Sequence, residues 1–276
     1  MAQQVPADPS SVVDDIAEHN TREVASDLAS KRLAIVNAIL VGPKGAGGGD
    51  WVLVDTGVMG TTGVLLGTVE ARFGPGARPA AIVMTHGHFD HVGGLEQLAA
   101  QWDVPVYAHP LEHPYLDGTR SYQPPDPSVG GGLMARIASL YPRGPVNVGR
   151  WLRALPEDGS IPLMPGWRWL HTPGHTEGHV SFWRETDRSL IAGDAFITTA
   201  QESAYAVAVQ APELHGPPMY FTPDWSAARQ SVELLAALEP EAVLTGHGPP
   251  MRGPAMREAL HRLAAEFDRV AVPERA

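Results

Sequence analysis

The chain has 276 residues, a formal net charge of −11 and no cysteine. That composition excludes disulfides, thiolate metal sites and a cysteine nucleophile. With 20 Lys plus Arg against 31 Asp plus Glu, it also lacks the basic surface that displaces counterions from nucleic acid.

Hydrophobic residues make up 43% of the chain, enough to bury a core, so a folded protein is expected. Residues 1–30 read as a polar, acidic lead-in, in part helical. They show neither the basic start nor the apolar core of a signal peptide. No apolar run approaches the roughly 20 residues of a membrane helix. A soluble, cytoplasmic protein with no membrane or nucleic-acid partner is the expectation.

The predicted elements begin with the apolar run Leu33–Gly42, a strand, followed across Gly45–Gly49 by the strand Trp51–Val54, which makes a hairpin. Leu65, Leu66, Val69 and Phe73 recur at helical spacing over Gly63–Phe73. Ala80–Thr85 is a short apolar run of the buried-strand type, Gly94–Trp102 a helix and Val104–Ala108 a strand. Residues 109–150 form an excursion too rich in proline and glycine for long elements, with room for one short helix at Leu133–Leu140. An excursion of that length is a candidate lid or pocket wall.

Strands resume at Trp167–His171, Val180–Arg184 and Ser189–Ala192, the last two joined by a turn at Thr186–Arg188. A helix follows from Asp224 to Leu238, then a strand at Ala242–Thr245 and a closing amphipathic helix at Met256–Ala271. Two packed sheets covered by helices fit this α/β pattern better than one doubly wound sheet. Residues 31–276 are expected to form a single domain.

The 12 histidines are unevenly placed. His86, His88 and His91 fall within six residues, with Asp90 among them, directly after the predicted strand 80–85. Loops at strand ends project side chains into clefts, and imidazole with carboxylate is the donor set of zinc and similar divalent ions. His175, Asp194 and His247 each sit just beyond another apolar strand and close to glycine.

The run HGHFDH resembles the HxHxDH signature of the metallo-β-lactamase superfamily. VDTG at Val54–Gly57, TPGHT at Thr172–Thr176, GD at Gly193–Asp194 and GHG at Gly246–Gly248 follow in the family's order. The resemblance implies a four-layer αββα sandwich with metals at one edge of the sheets. It implies His86, His88 and His175 as ligands of a first metal and Asp90, His91 and His247 as ligands of a second, with Asp194 bridging. Asp55 would orient ligand imidazoles from behind, and His179 is a candidate for a similar role. Tyr205, His215, Tyr220 and Phe221 are the candidates for a pocket wall.

The resemblance further implies two Zn²⁺ per chain, with Fe or Mn as alternatives, and hydrolysis of a small-molecule acyl substrate. Against four metal charges, Asp90, Asp194 and a bridging hydroxide bring three negative ones, which leaves one positive charge for the carbonyl oxygen under attack. Asp90 and Asp194 are then the catalytic carboxylates. His88 stands where redox di-iron members resemble HxExDH. Asp194 stands at a position that glyoxalase II-like and lactonase-like members fill and true β-lactamases usually do not. A dinuclear zinc hydrolase of an ester, lactone or thioester is therefore the expectation. A mononuclear iron persulfide dioxygenase and a β-lactam hydrolase are the alternatives.

Overall fold

The computed structural model describes residues 5–124, 144–200 and 212–273. The chain divides into two compact units, one of residues 14–122 and 143–169, the other of residues 1–13, 123–142 and 170–276.

The first unit is built on an eight-stranded sheet. Its strands, in spatial and chain order, are Ile16–Ala17, Thr21–Ala25, Leu28–Leu33, Val36–Val41, Val52–Val54, Ala81–Val83, Val106–Ala108 and Leu152–Ala154. The strands up to Val52–Val54 are antiparallel to their neighbours. From Val52–Val54 onward the pairs are parallel. Helices Thr62–Phe73 and Leu95–Trp102 supply the crossovers between parallel strands. Their buried faces join Leu40, Leu53, Ile82 and Val106 in one apolar cluster, in which Trp51 stacks on Phe73 with centroids 4.2 Å apart. The parallel strands all finish at the same sheet edge, where ligands of such sheets are bound. Asp55 and His86 lie one and three residues beyond two of these ends.

Two departures from the sequence reading fall in this unit. The polar lead-in carries strands at Ile16–Ala17 and Thr21–Ala25 and the start of Leu28–Leu33, and among the described residues its helix is confined to the 3-10 turns Pro9–Ser11 and Glu18–Asn20. The run Leu33–Gly42 is not one strand: Ala34, at φ 62°, and Ile35 turn the chain, and Leu33 pairs back with Val36. The hairpin of Val36–Val41 with Val52–Val54 is present as expected. The short helix expected at Leu133–Leu140 lies outside the described residues, while His113–Leu116 forms one α-helical turn of the excursion.

In the second unit, Val180–Arg184, Ser189–Gly193, Ala242–Thr245 and Met251–Arg252 lie side by side in that order. Ser189–Gly193 and Ala242–Thr245 are parallel, so Asp194 and His247 leave from the same edge. Helices Trp225–Ala237 and Pro254–Ala265 bury Val232, Leu235, Leu260 and Leu263 against Leu190 and Val243. Asp224 caps the first of these helices by accepting from the Ala227 amide at 2.9 Å. The closing helix is interrupted at Glu266 and resumes as Phe267–Val270, so it is two pieces and not the single element Met256–Ala271. Among the described residues no helix is long and apolar enough to cross a membrane.

Candidate functional site

In the first unit the loop after Ala81–Val83 carries His86, His88, Asp90 and His91, all at most 6% exposed. The donor atoms of His86 and His88, of His86 and His91, and of Asp90 and His91 lie within 4.8 Å of one another. The turn closes through the His88 carbonyl, which accepts from the amides of His91 at 2.9 Å and Val92 at 3.1 Å. Thr56 then clasps the His91 carbonyl with its amide at 2.8 Å and its hydroxyl at 2.7 Å. Gly93 allows this approach: a Cβ there would sit 2.1 Å from the Met59 nitrogen and 2.3 Å from the Val58 carbonyl carbon.

Asp55, held at φ 59°, is the anchor of the loop. Its carboxylate accepts from the Thr85 amide at 2.9 Å, the Thr85 hydroxyl at 2.7 Å and His91 Nδ1 at 2.7 Å. A carboxylate only accepts, so the proton on His91 sits on Nδ1 and Nε2 is the lone-pair nitrogen. The Thr85 hydroxyl has one proton, and it goes to Asp55. At 3.0 Å from His86 Nδ1 the same oxygen must therefore accept, which places the His86 proton on Nδ1 as well. One carboxylate thus sets the tautomer of two histidines, the second through a threonine.

The second unit repeats the device. His175 Nδ1 lies 3.2 Å from the Thr222 hydroxyl, which donates to the Pro218 carbonyl at 2.8 Å and so accepts from the ring. His175 Nε2 then faces Asp194 Oδ2 at 3.5 Å, and His247 Nε2 faces the same oxygen at 3.1 Å. All three side chains are at most 2% exposed. The His175 loop is clasped to the helix Trp225–Ala237: Ser231 donates to the Pro173 carbonyl at 2.7 Å, and a Cβ on Gly174 would meet the Ala228 nitrogen at 2.4 Å.

His179 is fully buried and sits behind Asp194. Its Nδ1 donates to the Thr172 carbonyl at 3.0 Å, and its Nε2 accepts from the Asp194 amide at 2.9 Å. It holds the backbone of the aspartate in place and is a neutral imidazole with both nitrogens committed to the protein.

The pocket candidates divide. Tyr205 lies outside the described residues. His215 is buried, bridged to Ile197 through the backbone, with Nδ1 on the Gly216 carbonyl at 3.1 Å. Tyr220 is buried against Phe221, with ring centroids 4.9 Å apart.

Sequence reasoning missed Thr85, Thr222, Glu112 and Tyr122. Glu112 is fully buried and accepts from the Gly87 amide at 2.9 Å. Tyr122 donates its hydroxyl to Glu112 and lies with its ring 4.5 Å from that of His88. Burial pushes the Tyr122 phenol well above its ordinary range, and the Glu112 charge pushes it further, so it is a hydroxyl donor at neutral pH.

The donors fit divalent metal. The first unit offers three imidazoles and a carboxylate, the second two imidazoles and a carboxylate, all buried. Imidazole nitrogens with lone pairs fixed inward, beside buried carboxylates, suit zinc, iron and manganese.

The fold and these residues define a family. The model of the metallo-beta-lactamase superfamily matches residues 32–247, and the chain belongs to that superfamily. The α/β fold class read from the sequence is the one its solved relatives share. Among relatives, the chain is 49% identical over 214 residues to "Probable metallo-hydrolase YflN" of Bacillus subtilis strain 168, covering 78% of this chain and 81% of that protein. It is 27% identical over 201 residues to "Probable metallo-hydrolase YybB" of the same organism, covering 73% and 77%. Of solved structures, TTHA1623, crystallised in a di-iron-bound form, is 28% identical with a TM-score of 0.56, covering 83% of this chain and 95% of its own. The BLEG-1 B3 metallo-beta-lactamase, at 22% identity, TM-score 0.58 and the same coverage, is similar in fold.

Proposed function

We propose that this chain is a metal-dependent hydrolase with a dinuclear centre, acting on a small ester, lactone or thioester. The observation that carries the reading is the fixed tautomer of His86, His91 and His175, whose Nδ1 atoms are tied to Thr85, Asp55 and Thr222. A merely structural histidine has no need of an inward lone pair beside a buried carboxylate. The superfamily membership and the likeness to two proteins named as metallo-hydrolases support it.

In this reading His86, His88 and His175 would hold one divalent ion and Asp90, His91 and His247 a second, with Asp194 as a further carboxylate donor. Zinc is the first candidate and iron the second, because TTHA1623 is known in a di-iron form. Bound divalent ions would supply a Lewis acid for the acyl oxygen and a water acidic enough to ionise at neutral pH. Asp90 takes up the proton of the attacking water and returns it to the leaving alkoxide or thiolate. Asp194 is kept in register by His179, and Asp55 keeps the rings of His86 and His91 from turning.

The test is a hydrolysis panel of lactones, thioesters, aryl esters, phosphodiesters and β-lactams on metal-quantified protein. The reading expects turnover of one acyl class, lost on chelation and restored by Zn²⁺. Turnover confined to phosphodiesters or β-lactams, or turnover unaffected by chelation, overturns it.

A further inference from the structure

Gly87 separates His86 from His88, so the plane of its peptide sets how those two imidazoles diverge. That peptide is gripped from outside the loop. Its amide is shared between Glu112 Oε2 at 2.9 Å and the Tyr122 hydroxyl at 3.1 Å, and Tyr122 in turn donates to the same Glu112 oxygen. A Cβ at Gly87 would sit 2.8 Å from the Tyr122 oxygen and 3.3 Å from Glu112 Oε2, so only glycine admits the grip.

The two gripping residues reach the loop by topology. Ala81–Val83 and Val106–Ala108 are adjacent parallel strands, so the segments that follow them leave one edge together. His109 caps the turn Pro110–Glu112 by accepting from the Leu111 amide at 3.3 Å, and that turn carries Glu112 over Gly87. Tyr122 is braced on its other side by Tyr115, stacked at 3.8 Å between centroids and 6° between planes. Arg120 lies over the Tyr115 ring at 5.5 Å. The Tyr122 ring meets His88 at 58°.

A carboxylate with no solvent exposure is costly to bury, and a surface clasp would hold a loop just as well. Its placement on the His86–Gly87 peptide, between two histidines read as ligands, points to geometry. We infer that Glu112 and Tyr122 are positioning residues for the metal-holding loop: they fix the Gly87 peptide plane and the rotation of the His88 ring, and so set the affinity and coordination geometry of the metal on His86 and His88. The inference rests on the reading of those two histidines as ligands.

The experiment compares parent, Tyr122→Phe, Tyr122→Leu, Glu112→Gln and Glu112→Ala. Each is assayed for Zn²⁺ affinity by competition with a chromophoric chelator, for the visible spectrum of its Co²⁺ form, and for metal-free unfolding in urea. Tyr122→Phe keeps the ring but not the hydroxyl and is expected to weaken metal binding about tenfold. Tyr122→Leu and Glu112→Ala should approach 100-fold, the upper range for partners behind a ligand, with altered cobalt bands. Glu112→Gln still offers an acceptor to the Gly87 amide and should stay near the parent. A purely structural role would lower the urea midpoint and leave zinc affinity and cobalt bands of the folded variants within threefold of the parent, which overturns the inference. Should Glu112→Ala not fold, the two Tyr122 variants decide it alone. A parent that binds no Co²⁺ removes the metal reading and this inference together, whereas a parent that binds it beside unchanged variants removes this inference only.

Discussion

Asp55→Asn isolates the tautomer relay. Asparagine has the shape of aspartate and tolerates the φ of 59° at this position, so the backbone is not the variable. Asp55 accepts three hydrogen bonds, two from Thr85 and one from His91. In the variant the remaining carbonyl can keep the Thr85 amide. The new NH₂ meets the Thr85 hydroxyl and His91 Nδ1, where an acceptor stood before. Two charge-assisted bonds at about 1.5–3 kcal/mol each are lost, and the threonine hydroxyl recovers part by rotating to accept. The net cost to folding is about 2–4 kcal/mol by the same reckoning.

The rotation has a second effect. The Thr85 proton then points at His86 Nδ1, so both His86 and His91 are driven to carry their protons on Nε2. Each must change tautomer before it can bind metal, and zinc affinity should fall about 100-fold, or about 2.8 kcal/mol. Urea unfolding of metal-free protein and chelator competition read the two effects separately. Zinc affinity within threefold of the parent would refute the relay, whatever the stability shows.

Other outcomes follow from the same geometry. His179→Ala strips the Asp194 amide of its acceptor and should destabilise the fold by about 1–3 kcal/mol in urea while lowering acyl turnover; unchanged unfolding would mean that water or the backbone replaces it. Gly93→Ala places a methyl 2.1 Å from the Met59 nitrogen, and its melting temperature should drop by about 6–12 °C, on the order of 3 kcal/mol for a clash the backbone cannot relieve. A drop of under 2 °C would show that the 57–59 loop yields. Among the described residues, Arg72→Met leaves the buried Glu23 carboxylate with the exposed Lys44 at 3.5 Å as its one cation. It should cost about 3 kcal/mol of stability with zinc affinity unchanged, and a loss of metal binding would contradict its assignment to the fold alone.

How much could be read in advance depended on how local each signal was. HGHFDH is contiguous and follows a recognisable strand, and Asp194 and His247 each end an apolar run beside glycine, so these side chains were legible as candidate donors. Thr85, Thr222, Glu112 and Tyr122 were not. Each acts across the fold: Glu112 meets Gly87 from 25 residues away, Tyr122 from 35, and Thr222 meets His175 from 47. Threonine and glutamate in a loop carry no pattern by themselves.

The early strands were hidden for a similar reason. Thr21–Ala25 and Leu28–Leu33 bury Glu23 and Lys31, which a sequence reading assigns to solvent. Glu23 is buried because Arg72 of a later helix neutralises it, and Lys31 because it donates to the His19 carbonyl. The turn at Ala34 and Ile35 escaped notice because neither residue is a turn former. The break at Glu266 fell inside an otherwise unbroken apolar period.

The account stands or falls on whether the two sets of donors grip the same pair of ions. A crystal structure of zinc-loaded protein, with anomalous difference maps recorded on both sides of the zinc edge, measures this directly. The prediction is two peaks per chain, one among His86, His88 and His175, the other among Asp90, His91 and His247, with an Asp194 oxygen on both. A single peak, or zinc confined to the histidines of one unit, would contradict it.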